Sequence, residues 1–130
     1  MENYLLWMEN ALKPIVVEFL AFMVKKIGIT NPYKIKLSVN RTEDFKTYAY
    51  YVPSSGLVCV YIKDRGCADV LRSLSHELVH HFQNQNGRLN TQESIPDIGG
   101  PIEDEANAVA GQLVKEFGYL ISKKGINIYE

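Results

Sequence analysis

Cysteine and histidine are scarce in this chain. Its 130 residues include two cysteines and three histidines. Cys59 and Cys67 are not a CxxC pair, and two isolated thiols do not make a disulfide framework. A reduced, cytoplasmic protein is therefore expected. An excess of basic charge is also missing: 14 Lys and Arg against 15 Asp and Glu leave a formal net charge of −1. Nothing in that balance marks nucleic acid or an anionic membrane as a partner. Long apolar runs are absent too. The most apolar stretch, Ile15 to Val24, is broken by Glu18 and falls far short of the ~20 residues a membrane-crossing helix needs. Met1-Glu2-Asn3 lacks the basic opening of a secretory signal. There are no repeats, low-complexity tracts or long linkers. With 46% hydrophobic and 22% charged residues, the chain can form a core of useful size, and one domain over 1–130 is expected.

The patterning gives a helix–strands–helix–helix order. Glu2 to Ile27 reads as helix interrupted at Pro14, with Ile15, Phe19, Phe22 and Met23 as its apolar stripe and Gly28 as its stop. Three β-type runs follow: Lys34 to Val39, Thr47 to Val52 and Leu57 to Ile62. Pro53-Ser54-Ser55-Gly56 between the last two predicts a hairpin. Tyr48, Tyr50 and Tyr51 are expected to pack on the sheet. A helix from Cys67 or Ala68 to Asn86 ends at Gly87, and a loop follows from Arg88 to Gly100. A further helix opens at Pro101 and runs to about Phe117, before Gly118. The segment from Tyr119 to Glu130 fits either a helix extension or a strand.

Chemistry concentrates in the first of these two later helices. His76-Glu77-Leu78-Val79-His80 is an HExxH motif. Two imidazoles four residues apart project from one helical face and can hold one metal ion, with zinc the favoured choice. Glu77 stands on the flank of that face, placed to take a proton from a water the metal polarises. Leu71, Leu74, Leu78 and Phe82 fall on the opposite side. Chance alone produces this motif in a chain of such length about once in a few hundred, so a third ligand must be found. No histidine outside 76, 80 and 81 exists. The longer pattern HExxHxxGxxH fails at Gln83 and Asn86. His81 points about 100° away from His80 and reads as a surface or packing residue. Cys67 is a minor alternative.

A carboxylate from the following helix remains. In Pro101 to Ala110, Glu103 and Asn107 share a face. Glu103 is the expected third ligand, and Asn107 is placed to hydrogen-bond the outer nitrogen of a ligating histidine. Glu105 is the rival ligand. An acidic first turn also suits a helix N-terminus without any metal. Ala106 and Ala110 would let the two helices approach closely.

Together, the two motifs resemble the gluzincin clan of zinc metallopeptidases. His76 to His80 matches its active-site helix, and Glu103-Asp104-Glu105-Ala106-Asn107-Ala108-Val109-Ala110 its glutamate helix. The ExxxD/N spacing is similar to thermolysin-like enzymes, the ExEAN form to the ImmA/IrrE type, and the short length to the minigluzincins. The resemblance covers roughly 57 to 117. It implies an α+β, zincin-like fold: a small, twisted, mostly antiparallel sheet on the HExxH helix, with an N-terminal helix and the glutamate helix. It implies one Zn²⁺ per chain on His76, His80 and Glu103, with Glu77 as general base. Leu57 to Ile62 is the candidate edge strand for an extended peptide substrate. One departure is the neutral Asn107 where thermolysin-like enzymes carry Asp. No residue is singled out to stabilise the oxyanion, Tyr61 and Tyr119 being candidates.

The leading expectation is thus a peptidase. A zinc-bearing binding or regulatory domain with little hydrolysis is the alternative, with the metal serving the fold. A third expectation is self-inhibition, in which the strand-like Gly125 to Glu130 reaches the edge strand or the metal.

Overall fold

Pro14 lacks an amide hydrogen and fixes its own φ, so a helix tolerates it best in the first turn. It sits there in the computed structural model, which describes residues 8–39, 48–89 and 100–129. Helix α1 spans Lys13–Ile27 behind a π-type turn at Met8–Leu12. The expected opening at Glu2 lies outside the described residues. Leu12, Val16, Phe19 and Met23 form the buried stripe. Ile15 and Phe22 are only half-buried, so the inner face is rotated slightly from the expected one. Gly28, at φ +82°, ends the helix by donating to the Val24 carbonyl in a conformation glycine adopts without strain.

Three strands follow: β1 (Lys34–Ser38), β2 (Ala49–Val52) and β3 (Leu57–Tyr61). The β2–β3 hairpin forms as its turn residues predict, and Gly56 is required in it. Its φ is +70°, and an added Cβ would lie 2.9 Å from the Pro32 carbonyl. The order is β1-β3-β2, with β1 parallel and β2 antiparallel to β3. The sheet is therefore mixed, not mostly antiparallel. Position β3 is also corrected: it is central, paired on both sides, and is not an edge. Val58, Cys59 and Val60 are all buried, so both faces of this central strand are covered. A continuous apolar run is what a strand covered on both faces carries.

Helix α2 (Cys67–Gln85) carries the HExxH motif and contacts β2, β3, α1 and helix α3 (Pro101–Ser122). It is buried on more than its leucine side, since Ser75, Glu77, Val79, His80, His81 and Gln83 are buried with Leu71, Leu74 and Leu78. Each fully buried leucine contributes about 1.5–3 kcal/mol, which anchors the helix that bears the polar residues. Ala106 and Ala110 are buried on α3, as close approach to α2 requires. Phe117 of α3 meets Phe19 of α1 edge-on at 5.1 Å. A Lys26–Glu116 ion pair links α1 to α3, and a Lys124–Glu18 pair links α1 to the segment just after α3; such solvent-accessible pairs add little. Among the described residues no helix is long and apolar enough to cross a membrane.

Helix α3 does not stop at Gly118. It passes through and ends at Ser122, because Gly118 serves close approach: an added Cβ would lie 3.1 Å from Ile128 Cδ1 and 3.2 Å from the Tyr129 ring. The tail turns back without forming a strand. Ile128 is buried, and its carbonyl accepts the Ala68 N–H at 3.1 Å. Gly66, the N-cap of α2, offers no side-chain oxygen, so the tail caps the helix in its place. Ala68 to His76 spans roughly 12 Å of helical rise. The tail as far as Tyr129 is thus a structural brace at the far end of α2; Glu130, whose carboxylates the expected self-inhibition would use, lies outside the described residues. Ile128→Ala is expected to cost about 2–4 kcal/mol in urea unfolding. A loss under about 0.5 kcal/mol, the usual range for surface changes, would refute the bracing role.

Candidate metal centre

One turn of α2 separates His76 from His80, and their Nε2 atoms lie 3.2 Å apart. Glu103, in the first turn of α3, is 3% exposed. Its Oε2 is 3.0 Å from His76 Nε2 and its Oε1 2.7 Å from His80 Nε2. The His76–His80–Glu103 cluster expected from sequence is therefore assembled. Four ligands at 2.0–2.1 Å in a tetrahedron around zinc stand about 3.3 Å apart. The observed separations are near that spacing, with the His80–Glu103 contact somewhat shorter.

The proton positions sharpen the fit. Gln83 Nε2 donates to the Ile102 carbonyl at 3.1 Å and to Glu105 Oε1 at 3.0 Å. Two acceptors on that side fix the amide orientation, so Gln83 Oε1 faces His80 Nδ1, at 2.7 Å. His80 Nδ1 must then be the donor, and in the neutral ring Nε2 carries a lone pair. That lone pair faces a carboxylate oxygen and another imidazole nitrogen. Acceptors so close need a positive charge among them, either a shared proton or a metal cation. A two-nitrogen, one-oxygen donor set suits zinc. Glu77 adjoins His76 and is itself buried, 8% exposed.

Two expectations about the neighbours are corrected. Asn107 is exposed on α3 and hydrogen-bonds neither histidine; Gln83 holds the outer nitrogen of His80 instead. Glu105, the rival ligand, faces away from the cluster. Its Oε1 accepts from Arg88 at 2.7 Å as well as from Gln83. The Arg88 guanidinium first, then the Gln83 amide, hold its carboxyl below the usual carboxylate range. Arg88 reaches it because Gly87, at φ +71°, turns the chain. Arg88 N donates to Gln83 O at 2.9 Å and Gly87 N to Asn84 O at 3.0 Å, a Schellman ending of α2.

His81 is neither a fourth ligand nor a surface residue. It is 3% exposed. Its Nε2 donates to the Asn31 carbonyl at 3.0 Å, and its Nδ1 accepts from Tyr51 Oη at 2.8 Å. Asn84 Nδ2 donates to the same Tyr51 oxygen at 3.1 Å. This network ties β2 and the α1–β1 connection to α2. Gln85 adds to it, accepting from Thr30 and Asn31 N–H. Of the other tyrosines, Tyr48 lies under the Arg65 guanidinium at 4.6 Å.

Arg65 joins the strand ends to α2. It donates to the Tyr48 and Tyr61 carbonyls, to Ser73 Oγ and to Asp69. Cys67 is the first residue of α2, roughly 13 Å of helical rise from His76, which removes it as a ligand; burial pushes its thiol up to about 11. Tyr119 is 65% exposed, and Glu103 to Tyr119 spans roughly 24 Å of helical rise, too far for an oxyanion partner.

Gln83, Arg88 and Arg65 are the residues that sequence reasoning passed over. Gln83 carried a usable signal, since residues three apart on a helix are neighbours. Arg65 carried a partial one in Asp69, four residues on; Arg88 carried none, because Glu105 comes from another element. No protein-family model matches the chain, and no match is found among curated proteins or solved structures.

Two outcomes are expected. By elemental analysis, wild type supplied with metal carries close to one zinc per chain, Glu103→Ala loses it, and Asn107→Ala keeps it. Full zinc in Glu103→Ala would exclude this centre. Tyr51→Phe removes the partner of His81 Nδ1 and is expected to cost about 1–3 kcal/mol. An unchanged urea midpoint would show that the network contributes nothing.

Proposed function

We propose that this chain is a zinc-dependent peptidase of the zincin type, hydrolysing peptide bonds in the cytoplasm. The observation that carries the reading is the convergence of His76, His80 and Glu103 on one point beside the buried Glu77. Bound there, one zinc ion would supply Lewis acidity to the scissile carbonyl and to the attacking water. His76 and His80 offer Nε2 lone pairs from adjacent turns of α2, and Glu103 offers its carboxylate from α3. Glu77 is the general base. Its carboxylate takes the proton of the attacking water and delivers it to the departing amide nitrogen. Its burial limits competition from bulk water for that proton.

The substrate strand cannot lie along β3, which has a neighbour on each side. β2 is the outer strand that contacts α2, so it takes that place in the proposal. The bond from Tyr61 N to Tyr48 O sets the antiparallel phase. Tyr50 and Val52 are then the residues bonded to β3, and Tyr51 turns its backbone N–H and C=O outward. Those groups would hydrogen-bond an extended peptide as an added strand.

Glu77→Gln keeps the shape of the site and removes the base. It is expected to retain zinc and to lower kcat/KM on a cleaved peptide by at least about 100-fold. Cleavage by Glu77→Gln at the wild-type rate would refute the mechanism. Zinc-loaded wild type that cuts nothing in a broad peptide library would instead favour the domain in which metal serves only the fold.

A further inference from the structure

The Gln83 amide has both its ends committed, one to the metal centre and one to α3. Gln83 is fully buried. Its Oε1 accepts from His80 Nδ1, and its Nε2 donates to Ile102 O and Glu105 Oε1. Rotating this amide by half a turn would set its oxygen against two acceptors. The same rotation would set its NH₂ against His80 Nδ1. That nitrogen would then have to accept, and the ring proton would move to Nε2. Nε2 is the atom that faces His76 and Glu103, and a protonated Nε2 cannot donate to a metal. The orientation of one buried amide thus decides whether the centre has two imidazole donors or one.

From this geometry we infer that Glu105 is a positioning residue of the metal centre, selecting the metal-donating tautomer of His80 through Gln83. The inference rests on the metal reading given above. Ile102 O alone gives the amide one acceptor contact; Glu105 Oε1 gives it a second, and a charged one. Arg88 fixes that carboxylate at 2.7 Å, and the Gly87 turn holds Arg88 in reach. Glu103 and Glu105 leave α3 from the same turn. Docking that turn on α2 therefore delivers the third ligand and the tautomer lock in one event. Glu105 is 36% exposed at its side chain, so replacing it leaves the core intact.

The test uses the full chain and zinc itself, with affinity measured by competition against a chromophoric chelator at neutral pH. Glu105→Ala is expected to weaken zinc binding by roughly 10–100-fold, the usual range for residues that orient a ligand from behind. Glu105→Gln, which keeps an acceptor oxygen, is expected to restore most of the affinity. Gln83→Leu should weaken binding as well, and adding Glu105→Ala to it should weaken binding no further. A second readout is the His80 ring in metal-free protein, by ¹⁵N NMR at a pH where the ring is neutral. Wild type shows the Nδ1–H tautomer, and Glu105→Ala shifts population toward Nε2–H. Unchanged zinc affinity in Glu105→Ala, additive losses in the double variant, or an unmoved tautomer would each overturn the inference. Wild type that binds no zinc would overturn the metal reading instead, and the tautomer measurement would still decide the role of Glu105.

Discussion

The centre depends on how closely α3 lies against α2. Glu103 meets His80 at 2.7 Å and His76 at 3.0 Å across that interface, and neither contact survives a larger spacing. Ala106 and Ala110 permit the approach by presenting no side chain beyond a methyl group at the interface. Leu113, Val114 and Phe117 continue the buried face of α3, so apolar burial further along the helix holds its first turn in place. Hydrophobic contact fixes the distance, and the polar atoms at the end of the helix make use of it.

Such a centre asks α2 to carry polar groups inside a core, which costs stability unless each finds a partner. The helix meets much of this demand with two networks, while Ser75 Oγ is buried without a hydrogen-bond partner among the described residues. On one flank, His80, Gln83, Glu105 and Arg88 run from the His76–His80–Glu103 cluster toward the surface. On the other, His81 joins Tyr51, Asn84 and the Asn31 carbonyl. His80 and His81 each have their ring orientation defined by a named partner, so these adjacent residues serve different ends. One offers its Nε2 inward to the cluster; the other spends both nitrogens on tying β2 and the α1–β1 connection to the helix.

The remaining elements brace α2 at its ends. Ile128 supplies the acceptor that Gly66, without a side chain, does not, Arg65 joins the strand ends to the first turns, and the Gly87 turn closes the last. The sheet contributes a central strand, β3, that is saturated by β1 and β2. That arrangement moves any strand-addition role to β2, the outer strand in contact with α2.

Sequence alone determined the local facts. The period of apolar residues placed the helices and strands, glycine and proline placed most of their ends, and the four-residue spacing of His76 and His80 put both on one helical face. Glu103 was legible as the third member of the cluster because it stood in the first turn of the next helix. Tertiary structure decided what depends on residues distant in the chain. It made β3 central, because strand order is set by which edges meet and not by the run of valines. It assigned the outer nitrogen of His80 to Gln83 and not to Asn107, because helix rotation about the α2–α3 contact turns Asn107 to solvent. It also carried α3 past Gly118, where the returning Ile128 and Tyr129 need the missing side chain for their own packing. Spacing along one helix is fixed by covalent geometry; the pairing of side chains from separate helices exists only once apolar burial has brought them together.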